Sequence, residues 1–271
     1  MSNNRRRNDR RPTDPPRRHA WPASRWGAGL RSADGLDEWL WGWHAVVAAL
    51  DNPARGTPSR LLATAERAQA LRARSSASTP TEIIDPAAIA RLLPLGAVHQ
   101  GLALATRALA PVSIEALATP TAGVLVMLDQ VTDPQNVGAI FRSAAAFGAR
   151  GLILQERRAP SLSGALAKAA AGAIDRIGHA RVVNLARTLE ELEAMGWRAI
   201  GLDAEASGTL ADTLDDAPTV LVMGAEHEGL RRLVREHCDA VARIEMTAGF
   251  DSLNVAAAAA VALYETARRR G

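Results

Sequence analysis

Apolar residues in the second half of the chain fall in short continuous runs rather than in alternation. Gly123–Asp129 (GVLVMLD), Gly151–Leu154, Ala180–Val183, Trp197–Leu202, Pro218–Met223 and Ala240–Ile244 each predict a strand. Unbroken apolar strands are the pattern of a sheet covered on both faces. Helical spacing separates them over Val137–Phe147, Ser161–Ala173, Leu185–Met195 and Arg231–His237, and a last helix is predicted over Ser252–Arg269. Strands and helices alternating, save between Trp197–Leu202 and Pro218–Met223, predict an α/β fold with a parallel sheet. The first half reads as a smaller α/β unit: strand Ser59–Thr64, helix Ala65–Arg74, strand Thr81–Asp85, a short helix from Pro86 and a final strand Ala97–Ala105. Ahead of these, Glu38–Leu50 holds Trp39, Trp41 and Trp43 among aliphatics. Exposed tryptophans stack on unpaired bases, but beside aliphatics a core role is the commoner one.

The chain has 271 residues, which predicts two domains. The pattern divides it into a tail over 1–36, a first domain over 37–108, a linker over 109–122 marked by Pro111 and Pro120, and a second domain over 123–271. The tail's first 18 residues carry seven arginines against Asp9 and Asp14, a net of +5 against +3 for the whole chain, so the remainder is slightly acidic. Its composition predicts disorder. Such an arm either adds salt-dependent attraction to RNA phosphates or is a solvated extension.

Cys238 is the only cysteine, which excludes an intramolecular disulfide and a Cys-rich zinc site. It is expected to be an inert buried thiol, and no metal-ligand cluster is visible. No run approaches the roughly 18–20 apolar residues of a membrane helix, and the arginine-rich start lacks an apolar stretch behind it. A cytoplasmic protein without metal or membrane partners is the expectation.

Three blocks carry candidate chemistry. The first is Asp129-Gln-Val-Thr-Asp-Pro-Gln-Asn136-Val-Gly-Ala-Ile-Phe-Arg142-Ser. Asp133-Pro134 opens a turn, Asn136 is a candidate helix cap, and Gly138 lies one turn from Arg142, which predicts a bare face where an RNA backbone comes close. The second is Gly224-Ala-Glu226-His-Glu-Gly-Leu, after a hydrophobic strand ending in Met223. A glycine at the carboxyl end of a strand lies where α/β sheets place ligands. Glu228 is read as a charge beside a helix N-terminus. The third is Ile244-Glu-Met246, then Ser252-Leu253-Asn254 before an alanine-rich helix. No Gly-x-Gly-x-x-Gly opens a helix, which disfavours a nucleotide-dependent oxidoreductase.

In this order the blocks resemble motifs 1, 2 and 3 of the SpoU (TrmH) branch of the SPOUT methyltransferases. The resemblance implies S-adenosylmethionine as cofactor, a ribose 2′-hydroxyl in RNA as methyl acceptor, a symmetric homodimer and a deep trefoil knot that pattern rules would forbid. It implies catalytic roles for Asn136, Arg142, Glu226, Ser252 and Asn254, and cofactor contacts from Met223, Gly224, Ile244, Met246 and Leu253. Gly42-x-His44-Ala-Val and Ala97-Val-His99-Gln100-Gly101 are similar to an RNA-gripping domain of the ribosomal protein L30e type found in the ribosomal-RNA guanosine subgroup. His99 is the candidate RNA contact there, and Lys168, the chain's single lysine, is a second one in the block Ser161–Ala173, which resembles another segment of the same subgroup. The implied substrate is a guanosine in 23S ribosomal RNA or in a large-subunit assembly intermediate. A transfer-RNA ribose methyltransferase and a non-catalytic RNA-binding protein are the alternatives. Two departures stand out: Glu245 occupies the family's usual proline position, and His227 a position that is often small.

Overall fold

The computed structural model describes residues 37–74, 79–225, 228–247 and 252–270. Two sheets organise them. The smaller has four strands, β1 (Asp37–Trp41), β2 (Arg60–Ala63), β3 (Thr81–Ile83) and β4 (Leu102–Arg107), in the order β1-β4-β2-β3. β4 is antiparallel to β1 and β2, and β2 is parallel to β3. Helices α1 (Trp43–Leu50), α2 (Ala65–Arg74) and α3 (Pro86–Leu92) connect them.

The larger sheet has seven strands: β5 (Val124–Leu128), β6 (Gly151–Gln155), β7 (Gly178–Val182), β8 (Arg198–Leu202), β9 (Gly208–Thr209), β10 (Thr219–Met223) and β11 (Ala240–Arg243). Their order is β7-β6-β5-β10-β8-β11-β9, and every pairing is parallel. All five residues of β5 and of β10 are buried, as their continuous apolar runs require. β5 has its successor β6 on one side and the distant β10 on the other. That reversal marks the place where open α/β sheets bind ligands, beyond the strands' carboxyl ends.

The remaining helices are α4 (Ile114–Ala118), α5 (Pro134–Ala146), α6 (Gly164–Ala170), α7 (Leu185–Ala194), α8 (Leu210–Thr213), α9 (Arg232–Glu236) and α10 (Val255–Arg270). Asp133 caps α5, accepting from the N–H groups of Gln135 and Asn136, with Pro134 in the first turn. Phe147 and Gly148, the latter at φ +75°, end it. Asn136 is thus inside the helix and not its cap.

Three expectations change. The final strand of the small sheet starts at Leu102, because Gln100 (φ +55°) and Gly101 (φ +75°) turn the chain where a strand over 97–101 was expected. The segment read as linker contains α4, capped by Ser113, and Val112 N–H bonds the His179 carbonyl, tying it to the large sheet. The last helix starts at Val255 and not Ser252, because Asn254 accepts from the N–H groups of Ala256 and Ala257.

One hydrophobic cluster runs through both sheets, from Leu40, Leu102 and Leu104 to Val126, Phe141 and Leu152. The seam between them is polar as well as apolar. Arg55 donates from Nε and Nη2 to the two carboxylate oxygens of Asp175 and from Nη1 to the Arg107 carbonyl, while Asn52 also donates to Asp175. Both side chains of this pair are at most 4% exposed. Trp41 packs on Gly164, and Gly172 leaves room for the backbone of His44.

Candidate active site

Three strand ends build a cavity of about 410 Å³. β8 contributes Leu202 and the following Asp203 and Glu205. β10 contributes Met223, Gly224 and Ala225. The segment after β11 contributes Ile244 and Met246, and the entry to α10 contributes Ser252, Leu253 and Val255. All five expected cofactor residues, Met223, Gly224, Ile244, Met246 and Leu253, therefore line one cavity, although they are spread over thirty positions of sequence. Its volume suits a small-molecule ligand, and its mixed lining suits one with an apolar ring and cationic groups. Asp203, Glu205 and Glu228 bring carboxylates to it. Such a donor set fits a ligand carrying a sulfonium and an ammonium.

The glycines and loops have structural reasons. A Cβ at Gly224 would run into the backbone of Gly229 and Leu230, because residues 225 and 229 pair across a tight reversal. Ala225 and Gly229 exchange backbone hydrogen bonds of 3.1 and 2.9 Å. Glu228 is exposed in this turn and faces the cavity, whereas α9 begins at Arg232 with Arg231 as its cap, so the reading of Glu228 as a helix-end charge is not what the fold provides. Glu245 is exposed between Ile244 and Met246, which line the cavity while it does not. The charge at the unusual position thus lies outside the lining. Glu226 and His227 fall outside the described residues.

The first and third blocks meet. Asn254 Nδ2 donates to Asn136 Oδ1 at 3.0 Å, and its own Oδ1 caps α10. One side chain therefore joins the start of α10 to the first turn of α5, and the two helices pack together. Ser252 and Leu253 precede the cap on the cavity rim, both exposed. Arg142 is exposed on α5, two turns beyond Asn136 and outside the lining. Gly138 does not bare a face for RNA: it is buried, and a Cβ there would meet the Leu166 carbonyl and Ala169 of α6.

Lys168 and His99 are neighbours at the seam. The Lys168 ammonium donates to Gln100 Oε1 at 2.5 Å, and Trp43 N–H shares that oxygen at 3.2 Å. Partial burial lowers the Lys168 pKa. His99 Nδ1 accepts from Gly101 N–H and shapes the turn before β4. Arg67 bonds the Gln100 carbonyl and lies 5.5 Å from the centre of the Trp43 ring.

Contacts that spacing does not reveal surround the cavity and the sheet behind it. Asp129 is wholly buried and bonds Arg231. Arg235 pairs with Asp203, and both line the cavity. Cys238, behind them, donates its S–H to the Val234 carbonyl and packs over Gly201, and burial pushes its thiol up to about 12. His179, buried in β7, is held near 3 by burial and by Arg181 and Arg55. Among the described residues no group of three His, Cys, Asp or Glu is placed to hold a metal, and no helix is long and apolar enough to cross a membrane.

Comparison with known proteins gives this geometry its relatives. A tRNA/rRNA methyltransferase of Mycobacterium avium, named uncharacterized, is 44% identical over 177 residues, covering 64% of this chain and 57% of its own. A similarly named protein of Synechocystis is 37% identical over 242 residues, 86% of this chain and 62% of its own. The chain thus spans about six-tenths of the length of these curated relatives. The SpoU methyltransferase AviRb of Streptomyces viridochromogenes, solved with the cofactor AdoMet, superposes with a TM-score of 0.71 at 25% identity, covering 92% of this chain and 97% of its own. An AdoMet-bound rRNA methyltransferase of Sinorhizobium meliloti gives 0.69 at 27% identity, over 86% and 87% of the two chains. The SpoU rRNA Methylase family model matches residues 123–264, from β5 through most of α10, and the chain belongs to that family, whose cofactor is S-adenosylmethionine.

Proposed function

We propose that the chain is an RNA 2′-O-ribose methyltransferase whose substrate is a guanosine of 23S ribosomal RNA, free or in an assembling large subunit. The observation that carries this reading is the Asn136–Asn254 hydrogen bond, which sets the helix bearing Arg142 beside a cavity lined by the second and third blocks. Bound S-adenosylmethionine supplies an electrophilic methyl group on a sulfonium. The protein's own task is largely to position the acceptor hydroxyl against it.

The exposed guanidinium of Arg142 is suited to stabilise negative charge developing on the ribose oxygen. It is poorly suited to accept the proton itself, since it stays charged to pH values above about 12. A neighbouring RNA phosphate is a better acceptor. Asn136 and Asn254 orient Arg142 through the start of α5, Ser252 sits at the rim toward the ribose, and Glu226 joins them from the second block. The carboxylates of Asp203, Glu205 and Glu228 favour the cofactor's positive charges.

In this reading residues 37–108 form an L30e-like domain that grips RNA, with His99 on its side of the seam and Lys168 facing it from α6 of the catalytic domain. Residues 109–122 link it to the catalytic domain over 123–271, two copies form a homodimer, and the segments around Gly224 and Ile244 are threaded through a trefoil knot. The names of the relatives, tRNA/rRNA methyltransferases, support RNA as the substrate class. The test is to incubate the protein with labelled S-adenosylmethionine and unmodified ribosomal and transfer RNAs and to map the modified nucleotide. A single 2′-O-methylguanosine in large-subunit RNA is expected. Label in transfer RNA would move the substrate, and a protein that binds the cofactor but labels neither RNA would point to an assembly intermediate. Absence of cofactor binding would leave a non-catalytic RNA-binding protein.

A further inference from the structure

We infer that Asp129 is a positioning residue that holds both ends of one wall of the cavity, and so sets cofactor affinity without touching the cofactor; the inference rests on reading the cavity as the S-adenosylmethionine site. The wall is made by Gly224, Ala225, Glu228, Gly229 and Leu230, which belong to the lining and fall between Met223 and Arg231 in sequence. Its start is fixed by main chain: Asp129 N–H donates to the Met223 carbonyl at 2.8 Å, extending the β5–β10 pairing by one residue. Its end is fixed by side chain: Asp129 Oδ2 accepts from Arg231 N–H at 2.9 Å and Oδ1 from Arg231 Nε at 2.7 Å.

The chemistry requires a carboxylate here. Both terminal oxygens act as acceptors, toward two donors of one residue. The Asp129 side chain is wholly buried, whereas Arg231 keeps 41% of its side chain exposed. A buried charge needs that partner, and an asparagine, with one acceptor and one donor end, can satisfy only one of the two bonds. Asp129 is also the last residue before the segment that leads through Gln130, at φ +60°, to α5. One residue therefore fixes the wall at two points and opens the path to the helix carrying Asn136 and Arg142. Asp129 lies outside the lining itself, so its effect on cofactor passes through the wall.

The test compares S-adenosylmethionine binding by calorimetry in full-length wild-type protein, D129N and R231M, with folding checked by circular dichroism. Asp129→Asn is expected to weaken binding about tenfold, to raise the KM for S-adenosylmethionine by a similar factor and to leave the KM for RNA within about twofold. A cofactor affinity within about twofold of wild type overturns the inference. Should D129N fail to fold, R231M carries the test, since it alters a half-exposed side chain and leaves the Arg231 N–H in place. Weakened cofactor binding in R231M that improves on adding Asp129→Asn, which removes the stranded buried charge, supports the coupling. Affinity unchanged in R231M overturns it. Wild-type protein that binds no S-adenosylmethionine overturns the reading of the cavity and this inference with it, whereas wild type that binds while the variants match it overturns the inference alone.

Discussion

The seam between the two sheets and the cavity beyond the larger one are each anchored by an arginine–aspartate pair, and the pairs are built differently. At the seam, Arg55 and Asp175 are both dry, and three guanidinium nitrogens have partners. At the cavity only Asp129 is dry, while Arg231 reaches solvent. A fully enclosed pair resists separation, because either partner left alone is a buried, uncompensated charge. A pair with one wet partner yields more readily, since the arginine has water to fall back on. The seam is thus a joint closed to water on both sides of its pair, and the cavity wall is anchored by a pair closed on one side only.

The sharpest way to break this division is at Arg142, which belongs to neither anchor. Arg142→Ala is expected to lower methyl transfer by about 10³-fold, roughly 4 kcal/mol of transition-state stabilisation, with cofactor affinity within about tenfold. Single-turnover kinetics and calorimetry separate the two, and lost cofactor binding would make Arg142 part of the wall. Next comes the seam. Asp175→Ala strands Arg55 and is expected to destabilise the fold by about 3–4 kcal/mol, read from urea unfolding, without changing cofactor affinity. An affinity change of the same size would show the joint and the cavity to be one unit.

Gly224→Ala acts in the opposite sense. Its new Cβ collides with backbone at residues 229 and 230, so the wall must shift, and cofactor binding is expected to fall by at least about tenfold. Unaltered affinity would mean the wall is looser than the pairing of 225 with 229 suggests. The smallest effect is at His237, which ties α9 to α7 and whose pKa is raised first by the Leu233 carbonyl and then by Glu190. A raised folded pKa stabilises most below the unfolded value, near 6.5, and the contribution is lost as pH rises through the folded value. The melting temperatures of wild type and His237→Gln should therefore differ near pH 6 and converge by about pH 9. Solvent screening keeps the difference under about 1 kcal/mol. A gap that widens with pH would refute the assignment.

Much of the larger sheet was legible because β5 and β10 are apolar throughout, and burial on both faces leaves no other pattern. The cavity lining that the second and third blocks supply was legible only through the likeness of three blocks to a family. Periodicity alone would not gather Met223, Ile244 and Leu253. Local chemistry misled at three places. Asn136 has capping chemistry, but Asp133 is better placed for it. The last helix, expected from Ser252, starts only after Asn254, which caps it. Gly138 was read as bare toward RNA, whereas its empty space admits α6. The anchors were invisible, because Arg55 and Asp175 are 120 positions apart and Asp129 and Arg231 are 102 apart. Charged residues at such separations leave no spacing signature.

The thiol behind α9 carries a practical consequence. With its thiol pushed up to about 12 by burial, little of Cys238 is ionised at neutral pH, and the thiolate is the reactive form. The chain's single cysteine is therefore expected to react slowly with maleimides while the protein is folded. The natural sequence is already a background for site-specific labelling: a cysteine placed on the exposed rim at Ser252 becomes the fastest-reacting thiol, and a ligand that fills the cavity beside it is expected to slow its labelling.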